Sequence, residues 1–379
     1  MAYFIQSEEG KDLLAEVRRF CGKEIREQCK EWDRTGEYPA ELYQKVMDMQ
    51  LHILELPEAY GGPGLDRITA AALLEQLAMA DAGIATAVSA SGLALKCVLM
   101  AGTEAQKRRV AQLMLEGSLG AFCLTEPAAG SDAASTKTTA VRDGDHYVLN
   151  GRKTFITNGS TASYYTVTAK TDKSAGTRGI SMFLVEKGTP GLSAGNHEDK
   201  LGVRTSETCD VVFEDCRIPV TALLGEEGRG FSLAMKGLDQ ARSWIGCIAV
   251  GIAQRALEEA IAYGRTRVQF GKPIIENQAI RFKIAEMAMK TESARQMVAH
   301  ALTLMENKLP CGTESAIAKA CAGDAAMDVT TEAIQIFGGY GYSREYPVEK
   351  LLRDAKIFQI FEGTNEIQKI VIASNLLGK

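Results

Sequence analysis

Helix-forming patterns occupy both ends of this 379-residue chain, and a block of short strand-like runs lies between them. Before Gly120, apolar residues recur every three or four positions, which is the spacing of one helix face. After Gly120, β-branched and aromatic runs alternate with Asp-Gly, Asn-Gly and Thr-Pro-Gly turns. The predicted strands cover residues 141–150, 153–157, 164–169, 179–185 and 210–213. From Phe231 the pattern is helical again, over residues 231–264, 275–306, 313–336, 347–356 and 364–377.

A chain of this length exceeds one ordinary hydrophobic core, so several domains are expected. The changes of pattern predict an N-terminal helical domain (1–119), a middle β domain (120–225) and a C-terminal helical bundle (226–379). Short strands separated by turns are typical of an antiparallel sheet or barrel. Long patterned helices are typical of a four-helix bundle. The predicted fold class is therefore mostly α with a central β domain.

The charge and the N-terminus limit the classes of partner. A net charge of −5 argues against binding to nucleic acid or to an anionic membrane surface. The strongly apolar run at 244–253 is too short to span a bilayer. The first residues show neither a secretory nor an organellar targeting pattern. We therefore expect a cytoplasmic protein that does not bind membranes.

The cysteines and histidines do not form a metal-ligand pattern. Nine cysteines are scattered singly without a Cys-x-x-Cys pair, and the four histidines do not cluster with them. Reduced, mostly buried thiols are expected, with no disulfide framework and no metal site.

An acidic residue near the C-terminus, Glu362, lies between an aromatic residue and a glycine. A carboxylate held against Phe361 and Ile360 should lose part of its hydration, which raises its pKa and makes it a better proton acceptor once ionised. The next residues, Thr364 and Asn365, are good helix N-caps. The alternative is that Glu362 is only a loop carboxylate before a helix.

Three loops are rich in small polar residues and exposed backbone amides, at 124–132, 155–159 and 337–339. Each could hydrogen-bond a planar heteroaromatic ring or a phosphate-bearing ligand. Taken singly, each is more often a simple turn.

Six motifs in order along the chain resemble the acyl-CoA dehydrogenase family. They are LTEPAAGSD (124–132), GRKTFITNG (151–159), LDQAR (238–242), RVQFGK (267–272), QIFGGYGYSREYPVEKLLRDAKI (335–357) and FEGTNEIQ (361–368). The resemblance covers nearly the whole chain and implies the same three-domain fold, bound FAD and a thioester of coenzyme A. Homotetramers are usual in that family, so a homotetramer is expected.

The resemblance also implies a flavin site built from the first two motifs. Its residues would be Phe122, Leu124, Thr125, Gly130, Ser131, Phe155, Ile156 and Thr157. Thr125 and Thr157 would offer hydroxyl groups to polar atoms of the flavin, and Ser131 would also contact the CoA moiety.

The remaining motifs match residues that hold the rest of FAD and the substrate. Those matching the adenosine-diphosphate site, which involves a neighbouring subunit, are Arg267, Gln269, Phe270, Gln278, Gln335, Gly338 and Gly339. Gly363, Thr364 and Asn365 match a turn at the FAD phosphates, where a helix N-terminus favours an anion. Asp239 and Arg242 would position CoA, and Phe361 and Gly363 would lie beside the substrate.

Glu362 matches the catalytic base of the family. It would take the α-proton while a β-hydride leaves for flavin N5, giving a trans-2-enoyl-CoA. The resemblance implies that the base's own backbone N–H and an FAD hydroxyl stabilise the developing enolate. Some relatives place the base just before the arginine matched by Arg242, but that position here is Ala241. Glu366, one helical turn later, is expected to be a solvated helix residue.

Departures from the family pattern bear on the acyl group. Phe361 replaces a frequent tyrosine, and Phe155 stands where many relatives have tryptophan. Trp244 is either a core aromatic or a wall of the acyl cavity. Ala85 and Ser89 would leave the cavity floor open. We expect a short or branched acyl chain, with arylpropionyl or arylacrylyl thioesters as the next choice.

The predicted function is therefore FAD-dependent dehydrogenation of an acyl-CoA, with electrons passed to an electron-transferring flavoprotein. The same site could work in reverse as an enoyl-CoA or arylacrylyl-CoA reductase. An acyl-CoA oxidase is less favoured because such oxidases are commonly longer. Two rivals of other classes stay open: a catalytically silent flavin-binding scaffold, and a helical binding protein without a cofactor.

Overall fold

The computed structural model describes residues 3, 5 and 7–378. Its N-terminal part is helical. The helices are α1 (Glu8–Phe20), α2 (Cys29–Thr35), α3 (Ala40–Asp48), α4 (Arg67–Ala80), α5 (Ala82–Ala101) and α6 (Glu104–Leu115). Side-chain N-caps begin several of these helices, including Ser7 for α1, Asp66 for α4 and Asp81 for α5, because each accepts a hydrogen bond from a free backbone N–H of the first turn.

Helix α5 is the one described helix that is long and apolar enough to cross a membrane by length and composition. It is longer than the apolar run at 244–253. Most of α5 is buried, in contact with α4, α7 and β1. Packing inside the fold therefore accounts for its apolarity. The absence of membrane binding and the cytoplasmic location stay predictions.

A seven-stranded sheet follows. Its strands are β1 (Gly120–Cys123), β2 (Thr139–Asp143), β3 (His146–Thr157), β4 (Tyr164–Lys170), β5 (Ile180–Glu186), β6 (Leu192–His197) and β7 (Thr208–Pro219). The order is β1-β4-β2-β3-β7-β6, and β5 also pairs with β4. Most pairs are antiparallel, but β1 and β2 run parallel to β4. The expected antiparallel sheet is therefore a mixed one.

Two details of the predicted strands are wrong. The run at 141–150 is two strands, β2 and β3, joined by a turn at Gly144 (φ +62°). Asn150-Gly151 is not a turn, since β3 continues through it with a register shift against β7. At that shift Asn150 exchanges hydrogen bonds with Asp215, which has a φ of +47°. A β-bulge has taken the place of the predicted turn.

The C-terminal part returns to helices. They are α7 (Gly230–Thr266), α8 (Gln278–Glu306), α9 (Gly312–Phe337), α10 (Val348–Lys356) and α11 (Asn365–Leu377), with a small hairpin of β8 (Val268–Gln269) and β9 (Lys272–Pro273) after α7. These helices confirm the predicted segments to within about three residues at each end. The order of helical, β and helical regions is likewise confirmed.

The two helical parts share one hydrophobic core, which contains residues from α1, α3, α4 and α5 together with α7 to α10. Buried ion pairs cross between them, with Arg295 on α8 donating to Glu75 on α4 and Lys350 on α10 donating to Asp81. The predicted domain limits themselves stay a prediction. The nine cysteines are free, and seven are buried.

Candidate active site

Glu362 lies in a short turn between α10 and α11, with its backbone in the left-handed region (φ +52°). Such a conformation costs a non-glycine residue about 1–3 kcal/mol and persists only where the surroundings hold it. Here the Gln368 amide donates to the carbonyl oxygens of Glu362 (3.3 Å) and Gly363 (2.9 Å). Lys319 Nζ donates to the Gly363 oxygen at 2.8 Å. The turn therefore fixes the direction of the carboxylate.

The Glu362 carboxylate lies near charged side chains from three helices. Among the described residues, none makes a hydrogen bond to its Oε2 atom. Burial raises the pKa of Glu362 to about 7. The positive charges of Lys96, Lys319 and Arg242 counteract part of this rise in pKa. The predicted upward shift is confirmed, and the group can accept a proton near neutral pH.

The residues after the turn serve the helix start. The Thr364 hydroxyl accepts from the backbone N–H of Ile367 at 3.3 Å and so caps α11. The Asn365 side chain is buried, where it donates to Ala320 and Asp324 and accepts from Lys319. Only the backbone of Asn365 is left for the predicted cofactor contact. Glu366 is exposed on α11, as expected.

A buried ion pair holds the loop at 124–132. Lys153 on β3 is fully buried, and its Nζ donates to the Leu124 oxygen (3.0 Å) and to Glu126 (2.8 Å). The Glu126 carboxylate also accepts from the backbone N–H groups of Lys137 (2.6 Å) and Thr138 (3.0 Å). Burial acts to raise the pKa of Glu126, but the charge and hydrogen bond of Lys153, together with hydrogen bonds from Thr136 and Thr138, lower the pKa to about 2. The loop at 124–132 is therefore clamped, that is, held in place by the buried pair of Lys153 and Glu126.

The two predicted flavin loops lie side by side. The backbone N–H of Thr154 donates to the Thr125 oxygen at 2.9 Å, which joins them directly. The Asn158 amide donates to Ala87 on α5 (2.9 Å) and Gly120 on β1 (3.0 Å), which anchors the second loop. The structure thus brings the two motifs to one surface beside α5.

The predicted flavin residues differ in exposure. Phe155 has a φ of +56° and is 63 % exposed, and Gly130 and Ser131 are also exposed. The partly buried members are Phe122, Thr125 and Thr157. The side chains of Leu124 and Ile156 pack inside the protein. For these two, only the backbone is left for the predicted contact.

A second groove, with a volume of about 540 Å³, joins two distant motifs. Its lining includes Arg267, Gln269, Phe270, Gly338 and Gly339. Gln278 and Gln335 are exposed, each next in sequence to a lining residue. From Lys319, near Glu362, α9 rises roughly 27 Å to its end at this groove, at about 1.5 Å per residue. Within one chain, the groove and Glu362 are therefore at separate positions, near opposite ends of this stretch of α9.

Helix α7 carries the other predicted substrate residues. Arg242 is buried and pairs with Asp239, which is partly exposed. Arg242 Nε lacks a hydrogen-bond partner in the described part of the chain. Trp244, also buried, lines a narrow cavity with Ser89 of α5. Trp244 is therefore both a core residue and a cavity wall, whereas Ala85 is buried and does not line that cavity.

Sequence reasoning missed the charged pairs that support the site. Lys96 is the sole charged residue of α5, and it contacts the carboxylate of Glu55. A lone charge in an apolar helix is rarely buried without a partner or a function, so it was a usable signal. The pair of Lys153 and Glu126 gave no such signal, because both residues lie among polar neighbours in sequence.

Comparison with known families places all three regions of the chain. Residues 7–118 match the acyl-CoA dehydrogenase N-terminal domain, 121–216 the middle domain and 228–377 the C-terminal domain. A short-chain specific acyl-CoA dehydrogenase of Megasphaera elsdenii is 46% identical over 97% of each chain. An acyl-CoA dehydrogenase of Bacillus subtilis is 44% identical over 96% of each chain.

Solved structures agree. Butyryl-CoA dehydrogenase from Megasphaera elsdenii superposes with a TM-score of 0.96 at 45% identity, over 99% of both chains. A chain from structural work on the electron transferring flavoprotein of Acidaminococcus fermentans, directed at flavin-based electron bifurcation, gives a TM-score of 0.97 at 43% identity. It covers 99% of this chain and 100% of that one.

Proposed function

Because this chain belongs to the acyl-CoA dehydrogenase family, whose members are FAD-dependent oxidoreductases acting on acyl-CoA, we propose that Glu362 is the base that removes the α-proton of a short or branched acyl-CoA. The observation that carries this proposal is the carboxylate of the half-buried Glu362. Its Oε2 atom is buried and receives no hydrogen bond from a described residue, and its pKa is raised to about 7. The name of the Megasphaera elsdenii relative supports the short chain.

The residues present fit FAD. Phe155 exposes its ring in a strained conformation, beside the clamped loop at 124–132. At the second groove, no described atom lies within 4 Å of where a Cβ would be at Gly338 or Gly339, so the backbone there is open to a ligand. Arg267 lines the same groove, where its charge would suit a phosphate. When bound, the oxidised flavin supplies a two-electron acceptor for a hydride.

The chain's own groups would prepare the substrate for proton removal. Arg242 and Asp239 would bind the CoA portion, since Arg242 has an unused Nε–H donor within the described region. The Glu362 backbone N–H has no backbone acceptor among the described residues, so it is available to the thioester oxygen. A donor at that oxygen stabilises the negative charge that develops as the α-proton moves to Glu362.

Anaerobic titration of the purified holoprotein with a panel of acyl-CoAs tests the proposed function. Short and branched thioesters are expected to bleach the flavin absorbance at lower concentration than long ones. An equal response across the panel would contradict the short-chain assignment. No bleaching by any thioester would favour the silent flavin-binding scaffold, and a colourless preparation would favour a protein without a cofactor.

The rate of flavin reduction is expected to rise with pH, with an apparent pKa near 7. Glu362 must be ionised to accept a proton, and burial favours its protonated form up to about that pH. Below the pKa the base is mostly protonated and the rate falls. Stopped-flow reduction measured from pH 5.5 to 9 tests this expectation. A rate that stays constant down to pH 5.5 would contradict the raised pKa.

We also propose that an electron-transferring flavoprotein accepts the electrons. The similarity to a chain from the work on the Acidaminococcus fermentans flavoprotein supports this partner. Reduced holoprotein mixed with such a flavoprotein should reoxidise faster than with buffer alone. An unchanged rate would contradict the pairing.

A second copy of the chain is proposed to complete the groove at the end of α9, in a homotetramer. Phe270 is 98 % exposed at the tip of the β8–β9 hairpin, and an apolar ring so placed is typical of an interface. Replacing Phe270 with serine is expected to lower the molar mass in light scattering and the FAD content together. A monomeric wild-type holoprotein would contradict the proposal.

A further inference from the structure

Four buried polar side chains surround the narrow cavity between α5, α7 and the segment at 51–56. Three line it, namely His52, Ser89 and Trp244, and Lys96 contacts Glu55 of the same lining. Within the described part of the chain, three of their atoms have no hydrogen-bond partner: His52 Nδ1, Ser89 Oγ and Trp244 Nε1. A buried polar atom without a partner has lost its hydrogen bonds to water and gained none in the protein, which is unfavourable. Three such atoms around one cavity, beside the ammonium of Lys96, indicate a polar group of a ligand.

Lys96 and Glu55 give the cavity both signs of charge without a net excess. The Lys96 ammonium contacts the Glu55 carboxylate and lies 5.4 Å from the centroid of the Trp244 ring. Gly92 leaves room for this pair, since a Cβ there would meet Glu55 Oε1 at 2.2 Å. An anionic ligand group would face Glu55 as well as Lys96, so a neutral group fits better.

The cavity offers hydrogen-bond donors and an acceptor. Lys96 and Trp244 can only donate through their nitrogen atoms, and Ser89 can donate or accept. His52 Nε2 lies 2.7 Å from the Met114 carbonyl, so it carries the proton, and Nδ1 is left as an acceptor. Burial lowers the pKa of His52, which keeps the ring neutral. A ligand group that both donates and accepts would satisfy this arrangement.

The size and position of the cavity narrow the choice of group. Its volume is about 10 Å³, room for about one water-sized group. Charges on Lys96 and Glu55 both influence the pKa of Glu362, so the cavity and the proposed base are neighbours. An acyl chain that extends from Glu362 towards α5 would bring its distal end to this cavity.

We propose that the acyl group taken by this protein carries a hydroxyl at the end distal to the thioester, bound by Trp244, Ser89, Lys96 and His52. This inference rests on the proposed function. The hydroxyl accepts from the Trp244 N–H or the Lys96 ammonium and donates to His52 Nδ1. It can belong to an aliphatic chain or to a phenol, and the test distinguishes these two sources.

The experiment uses two matched pairs of thioesters: 4-hydroxybutyryl-CoA with butyryl-CoA, and 3-(4-hydroxyphenyl)propionyl-CoA with 3-phenylpropionyl-CoA. Binding to the holoprotein is followed by tryptophan fluorescence, in a Trp32→Phe background that leaves Trp244 as the single tryptophan. One hydroxylated thioester is expected to bind at least about 10-fold more tightly than its partner. The pair with the preference identifies the source of the hydroxyl. Equal affinity within both pairs would overturn the proposal, whether or not the flavin is reduced.

Variants test the assigned residues by isothermal titration calorimetry. Trp244→Phe removes the N–H donor and keeps an aromatic wall, and Ser89→Ala removes one hydroxyl. In each, the preference for the hydroxylated thioester is expected to fall several-fold. Trp32→Phe, the same change on α2 outside the cavity lining, is expected to keep the preference. If both cavity variants keep it as well, the hydroxyl is bound elsewhere and the proposal is wrong. Flavin bleaching by the unsubstituted thioesters reports separately on the proposed function.

Discussion

Replacing Glu362 with glutamine is expected to lower the rate of flavin reduction by about 10²–10⁴-fold, the usual contribution of a positioned general base. Glutamine keeps the shape of the side chain and removes the group that accepts the α-proton. The FAD content should stay near that of the wild type, because the clamped loops and the groove at the end of α9 do not involve this carboxylate. Stopped-flow reduction by butyryl-CoA measures the rate, and the ratio of flavin to protein absorbance measures the FAD content.

Glu366→Gln is the matched control. Glu366 lies four residues further on, on α11, and its side chain is exposed. The same chemical change there should leave the reduction rate within about twofold of the wild type, since surface substitutions away from a site have small effects. A Glu362→Gln protein that reduces its flavin at the wild-type rate would show that the base is another residue.

Replacing Lys153 with methionine is expected to destabilise the protein by about 3–5 kcal/mol and to cause loss of FAD. Methionine has a comparable length but leaves Glu126 buried without its cationic partner. Lys153 also donates to the oxygen of Leu124 and to the hydroxyls of Thr136 and Thr168, so the loop at 124–132 loses several supports at once. Denaturant unfolding measures the stability, and the flavin-to-protein absorbance ratio measures retention of FAD.

Lys187→Met provides the control for this change. Lys187 is exposed, and among the described residues its side chain makes one hydrogen bond, to the Ser160 oxygen at 3.0 Å. Its replacement should leave both stability and FAD content nearly unchanged. The double variant Lys153→Met/Glu126→Leu should recover part of the lost stability, because it removes the unpaired charge as well. A Lys153→Met protein with wild-type stability and FAD content would show that the ion pair does not support the loop.

The periodic elements could be predicted from the sequence because their signals are local. Apolar residues three or four positions apart indicate a helix. For this reason α7 to α11 were predicted within a few residues of their observed limits. Glu362 could be singled out in the same way, since its aromatic and glycine neighbours are adjacent in sequence. Strand pairing was harder to predict from the sequence. Neither the parallel pairing of β1 with β4 nor strand β6 follows from the turn pattern, because pairing depends on residues far apart in the chain.

The chain's own sequence determined the order of helical, β and helical regions, the caps that begin several helices and the acidic residue before α11. The tertiary structure alone decided which charges meet. Three ion pairs join residues that are far apart in sequence: Lys153 with Glu126, Lys96 with Glu55, and Arg295 with Glu75. Burying a charge is costly unless a partner of opposite sign reaches it. The packing of the helices and the sheet decides which partner reaches each charge. The hydrophobic periodicity of the sequence does not predict these pairs.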